Sequence, residues 1–190
     1  MSFRVFTALD FSDQVLSKVV DYRRELEHRL PSILRWTKTD QLHITLKFVG
    51  ELQENHLPAV QRELEKTFSP IQRFPLRLQG AGFFPTLNQP RIFWIGIDPA
   101  PELLEIVQKN EELFHSLGYP MEKRPFQPHI TIARFREGIS RQDLLRFQQI
   151  WNETKTVFQA QQTMDHLTFY QSTLTPQGPI YKVLSKVNFQ

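Results

Sequence analysis

Cysteine is absent from all 190 residues, which excludes disulfide scaffolds, thiolate zinc sites and cysteine nucleophiles together. Long apolar runs are absent as well, so no segment has the length of a membrane-spanning helix. The opening stretch from Met1 to Asp10 is broken by Arg4 and Asp10 and lacks the uninterrupted apolar segment of a secretory signal. A cytoplasmic protein without a membrane partner is the resulting expectation. Hydrophobic residues make up 40% and charged residues 23%, a balance that excludes disordered and collagen-like chains and suits one compact unit or two small lobes sharing a cleft.

Net charge is only +3, but 14 of the 23 cations are arginine, whose planar fork suits phosphate. Lys123, Arg124, Arg134, Arg136 and Arg141 fall close together in the second half. That clustering favours a phosphate-bearing partner over a merely solvated basic surface.

Apolar spacing predicts a strand over Phe3 to Leu9, then a helix capped by Ser12 and stopped by Pro31. A strand from Leu42 to Val49, a helix from Glu54 to Phe68 and a strand from Arg73 to Gln79 follow, and the loop Gly80 to Pro90 divides the chain. The order then repeats, with a strand Arg91 to Ile97, a helix Glu102 to Leu117 stopped by Gly118, a strand Pro128 to Phe135 and a helix from the Ser140 cap to Trp151. A hairpin, Leu167 to Leu174 and Ile180 to Val187 around Thr175-Pro-Gln-Gly-Pro179, is expected to complete the second half. The whole is read as a single α+β domain, 1–190, with pseudo-repeat lobes of about 1–80 and 90–165 and a C-terminal hairpin at 166–188.

Two stretches stand at equivalent places in this repeat, His43-Ile-Thr-Leu46 and His129-Ile-Thr-Ile132, 86 residues apart. One His-x-Thr is a weak signal; two in matching predicted strands are a strong one. Alternation puts His43 with Thr45, and His129 with Thr131, on one strand face, with the intervening isoleucines toward the core. Two imidazoles facing one anion suit phosphodiester chemistry. Near neutral pH one ring accepts a proton from water while the other donates one to the leaving oxygen, with no metal or other cofactor required. The threonine hydroxyls can bind phosphate oxygens, and Arg134 can offset charge in the transition state. Arg134 and Phe48 each lie five residues past a motif histidine, on the wrong face by strict alternation, so their use in the groove needs a bulge. With one, Phe48 becomes a ring on which a base could stack. His28, His56, His115 and His166 are read as structural.

These residues resemble the two-histidine (2H) phosphoesterase superfamily, and within it the RNA 2',3'-cyclic phosphodiesterases, the LigT-like or ThpR proteins. The likeness runs nearly end to end: the opening Phe3 to Asp10, Arg35-Trp36 leading to Asp40 to Gly50, Pro90 to Gly96, Phe126 to Arg134, and Ser172 to Tyr181. It implies a bilobal fold whose sheets line a central cleft, and hydrolysis of RNA 2',3'-cyclic phosphate ends to 2'-phosphomonoesters without a metal. It matches His43 and His129 to the catalytic pair, Thr45 and Thr131 to the phosphate-binding threonines, and Arg134 to the arginine after the second motif. His43 is assigned as proton donor and His129 as proton acceptor, in a protein expected to be a monomer. Ile130 and Ile132 replace leucines common in relatives. The same histidines would also serve a 2'-5' RNA ligase or a phosphodiesterase of small cyclic nucleotides or 2'-5' linkages. Two other classes stand further off, a non-catalytic RNA-end binder and a metallohydrolase, the latter without a His-x-His or His-Glu-x-x-His ligand pattern.

Overall fold

Five consecutive residues of strand β1 (Ser2–Asp10), Val5 to Leu9, are buried in the computed structural model, which describes residues 1–30, 32–154, 157–176 and 178–190. Neighbouring strand residues point to opposite faces, so both faces of β1 are covered. Helix α1 (Asp13–Glu27) follows, with the Ser12 hydroxyl accepting from the Val15 N–H as its cap. The helix ends at Glu27, short of the stop expected at Pro31, because the chain already leaves the helix at the His28 cap; Pro31 itself, and Gln177 of the expected turn, lie outside the described residues.

The chain continues through β2 (Leu34–Trp36), β3 (His43–Gln53), α2 (Leu57–Phe68), β4 (Phe74–Phe84) and β5 (Ile92–Ile97). Then come α3 (Pro101–Ser116), β6 (His129–Phe135), α4 (Arg141–Thr154), β7 (Gln159–Met164), β8 (His166–Thr175) and β9 (Gly178–Asn188). Gly118, at φ +89°, follows α3 in the left-handed conformation expected of a helix stop. The loop predicted from Gly80 is shorter than expected, because β4 runs on to Phe84. Strands β2 and β7 carry no clear apolar alternation and escaped the sequence reading; each is an edge strand, where pairing on one side is enough.

The strands form two curled sheets, ordered β3-β1-β8-β9 and β2-β6-β5-β4-β7. Helices α2 and α3 back the first. Gln61 of α2 donates to the Leu184 carbonyl of β9, and the buried Thr7 hydroxyl of β1 donates to Asn110 of α3 at 2.8 Å. Helices α1 and α4 back the second sheet, with Arg23 lying 5.4 Å over the Trp36 ring and Phe147 packed edge-on against Phe83 and Phe135. The layers therefore do not follow the halves of the chain. The C-terminal hairpin in particular lies in the first sheet, where β8 pairs with β1, and not beside the strands of the second half. Among the described residues no helix is long and apolar enough to cross a membrane.

A buried ion pair ties the first sheet to α3. The Lys47 ammonium, 2% exposed, donates to Glu111 of α3 at 2.6 Å and to the Pro120 carbonyl at 2.9 Å. Removing one partner of a buried pair strands the other charge. Glu111→Ala is expected to lower the unfolding free energy by about 3 kcal/mol in urea denaturation. Lys47→Met should cost less, since Glu111 keeps the Glu122 backbone N–H as a donor.

Candidate active site

Strands β3 and β6 belong to different sheets yet bring Cα atoms within 8 Å of each other, so the two motif strands approach each other between the sheets. In each, the local geometry is the same. His43 lies opposite Asp10 on β1 and His129 opposite Gly96 on β5, both pairs offset by 86 residues. Thr7 and Ala8 face Lys47 and Thr45, leaving Leu46 as an extra residue, and Phe93 and Trp94 face Ala133 and Thr131, leaving Ile132. These are β-bulges at equivalent positions, and each resets the alternation. Leu46 and Lys47 are both buried, after which Phe48 emerges 74% exposed; Ile132 and Ala133 are both buried, after which Arg134 is exposed. Phe48 and Arg134 thus share the faces of His43 and His129, the arrangement for which the sequence required a bulge.

Each imidazole is held in the same way. The Nδ1–H of His43 donates to the Gln41 carbonyl at 2.8 Å and that of His129 to the Gln127 carbonyl at 2.7 Å. A carbonyl only accepts, so Nδ1 carries the proton and Nε2 is the working atom of both rings. In His43 that Nε2 is 3.0 Å from the Thr45 hydroxyl. Burial holds the His43 pKa below its ordinary value, with the Gln41 carbonyl and Asp10 opposing the shift and the charge of His129 adding to it. Burial also lowers the His129 pKa; the Gln127 carbonyl opposes and Arg134 reinforces. The two rings are therefore within each other's electrostatic reach, and Arg134 also acts on Tyr181 of the opposite sheet.

The floor beneath His43 is aromatic. Phe6 packs its ring 5.0 Å from His43, 5.7 Å from Phe48, 5.2 Å from Tyr170 and 5.0 Å from Tyr181. Beneath His129, Phe84 stands edge-on at 4.9 Å and itself leans on Trp94. Trp94 lies flat over β4 because residue 82 is glycine: a Cβ there would come within 2.4 Å of the indole.

Several of these groups were not singled out from sequence. Tyr170 and Tyr181 reach the site only through the register of the C-terminal hairpin. Gln41 also donates its side-chain amide to the Pro179 carbonyl at 2.6 Å, joining the turn before His43 to the hairpin tip. Asp10 accepts from Thr168 at 2.6 Å, Tyr170 at 2.8 Å and His166 at 3.3 Å, and the hydrogen bond to Asp10 is the main reason the His166 pKa is raised. His166 also pairs with Asp165 at 2.6 Å. Among the described residues no group of three or more His, Asp or Glu side chains is arranged to hold a metal ion.

Comparison with known proteins shows the family and the fold. The family model described as the 2'-5' RNA ligase superfamily matches residues 12–175. A protein of Archaeoglobus fulgidus named RNA 2',3'-cyclic phosphodiesterase is 33% identical over 183 residues, 95% of this chain and 97% of its own length. One of Thermotoga maritima with the same name is 29% identical over 98% of this chain and 96% of its own. Among solved structures, TT0787 of Thermus thermophilus superposes with a TM-score of 0.81 at 24% identity, covering 97% of each chain. E. coli LigT complexed with 3'-AMP gives 0.78 at 22% identity, covering 100% of this chain and 99% of its own, so both share the fold. With paired His-x-Thr strands, matching bulges and a family match over most of its length, the chain belongs to the 2'-5' RNA ligase superfamily of two-histidine phosphoesterases, beside relatives named RNA 2',3'-cyclic phosphodiesterase.

Proposed function

We propose that this protein hydrolyses RNA ends carrying a 2',3'-cyclic phosphate to 2'-phosphomonoesters by metal-independent acid–base catalysis. The observation that carries this reading is the matched pair of imidazoles, each tied through Nδ1 to a backbone carbonyl and each with Nε2 left for proton transfer. Water attacks phosphorus while His129 Nε2 takes its proton; the bond from phosphorus to the 3' oxygen breaks, and His43 Nε2–H protonates that oxygen. The product is a 2'-phosphate beside a free 3'-hydroxyl. Thr45 and Thr131 hydroxyls donate to the non-bridging oxygens, Arg134 offsets the growing charge, and the exposed Phe48 ring stacks on the terminal base.

A difference between the two halves of the site supports this direction of proton flow. A carboxylate, Asp10, stands opposite His43, whereas the equivalent place opposite His129 is Gly96 and its charged neighbour is Arg134. An anion favours the protonated ring and a cation the neutral one. His43 is thereby suited to be the acid and His129 the base. A ligase that joins RNA through a 2'-5' linkage would use the same two groups with a hydroxyl in place of water, and the family's name reflects that chemistry.

Replacing either histidine with alanine is expected to cut kcat/KM on a cyclic-phosphate-ended oligoribonucleotide by on the order of 10²- to 10⁴-fold. Chelators should leave the rate unchanged, and product analysis should give the 2'-monophosphate. An untouched cyclic end beside rapid turnover of a 2'-5' dinucleotide would replace this substrate with the other. The pH dependence has a definite sign. Activity rises with pH as His129 loses its proton and falls as His43 loses its own, and both pKa values are lowered. The bell in kcat/KM should therefore peak on the acid side of about 6.5, with limbs that belong to the interacting pair. Asp10→Asn should move the descending limb to lower pH by more than it moves the ascending one.

A further inference from the structure

Strand β2 is the open edge of its sheet, next to β6. Across that pair Arg35 stands directly opposite Arg134. Directly opposed residues of an antiparallel pair share a face, with Cβ atoms roughly 4.5–5.5 Å apart. The flanking Leu34 and Trp36 point the other way, Leu34 into the core and Trp36 against the buried Phe93. Arg35 therefore lies with Arg134 on the cleft face. Both are exposed, and among the described residues neither forms an ion pair with a carboxylate. On the far side of β6 the residue opposite Arg134 is Ile92, which supplies no counter-charge.

Like charges opposed in a sheet destabilise it, and this pair is left uncompensated by the protein itself. An anionic ligand offsets that cost. The two guanidiniums are placed in sequence along one path: Arg134 is close enough to act on His129, and Arg35 is one strand further out, at the sheet's edge. Arg136, two residues beyond Arg134, is also exposed, its Nε donating to the Ser32 carbonyl at 3.1 Å. A guanidinium stays charged at any relevant pH and grips a phosphate through two parallel N–H bonds.

We infer that Arg35 forms a subsite for the phosphodiester on the 5' side of the terminal nucleoside, next to the reacting cyclic phosphate at Arg134, so that the site favours polynucleotide ends over cyclic mononucleotides. The inference rests on the hydrolytic reading above and assigns it a substrate class. A polynucleotide leaving the cleft over the β2 edge brings a second phosphate to the second arginine, and the like-charge pair is neutralised as a unit. A cyclic mononucleotide has one phosphate and satisfies only Arg134.

The test compares a dinucleotide ending in a 2',3'-cyclic phosphate, which has one internal phosphodiester, with the cyclic mononucleotide, which has none. Arg35→Ala is expected to lower kcat/KM roughly tenfold on the dinucleotide and by less than about twofold on the mononucleotide. Replacing the internal phosphodiester with a neutral methylphosphonate should cause the same loss in the parent protein and no further loss in Arg35→Ala. Equal losses on both substrates, losses that add in this cycle, or an unaffected dinucleotide would overturn the subsite. If the parent turns over neither substrate, the hydrolytic reading fails on its own. Binding of a dinucleotide ending in a 3'-phosphate, against a nucleoside 3'-phosphate, then decides the subsite: weakening of the dinucleotide alone by Arg35→Ala supports it, and weakening of both or neither overturns it.

Discussion

Directly after each His-x-Thr an extra residue, Leu46 in β3 and Ile132 in β6, interrupts the two-residue alternation on which a strand's faces depend. Without those residues, His43 and Thr45 would share their face with Lys47, and His129 and Thr131 with Ala133. The bulge turns Lys47 inward, where Glu111 and the Pro120 carbonyl take its three-donor ammonium, and turns Phe48 outward. On the other strand it buries Ala133 and delivers Arg134. The same backbone irregularity thus gives one half of the cleft an aromatic ring and the other a cation.

Fixing the imidazoles depends on elements far from them in sequence. A carbonyl two residues earlier sets the tautomer of each ring, but the surroundings differ. His43 rests on Phe6, Tyr170 and Tyr181, drawn from β1 and from the C-terminal hairpin, and has Asp10 as its cross-strand neighbour. His129 rests on Phe84 and has no carboxylate opposite. Two motifs that look alike in sequence are thereby given unlike neighbours, a carboxylate acting on one ring and a guanidinium on the other, while burial lowers the pKa of both. The Asp10 carboxylate is itself held by Thr168, Tyr170 and His166, so the hairpin that covers β1 also sets the electrostatics of the first motif.

Local signals were sufficient for much of this. Capping by Ser12, the glycine stop at Gly118 and the apolar stripes of the helices follow from short-range chemistry, and each element appears where its pattern puts it, within a few residues. Paired His-x-Thr stretches at a constant offset marked His43, Thr45, His129 and Thr131, because a strand's period alone puts each histidine and its threonine on one face. The need for a bulge at Arg134 and Phe48 was also readable, since both fall at odd spacing from a motif histidine. Strands β2 and β7 were not readable, because β2 is only three residues long and β7, Gln-Ala-Gln-Gln-Thr-Met, is mostly polar and carries weak alternation.

Which sheet each strand joins emerged only in three dimensions. The hairpin β8–β9 carries no mark in its residues that binds it to β1 rather than to the second half; the pairing joins residues far apart in the chain. That choice brings Tyr170, Tyr181 and the Asp10 network to His43, and the pairing of β2 with β6 places Arg35 across from Arg134. The order of residues in the chain is enough to set the chemistry of the two motifs and the face on which each lies, because those depend on local periodicity. That the two faces meet, and what surrounds each histidine, is settled by the folded arrangement, because strand order and cross-strand register depend on contacts between residues far apart in the chain.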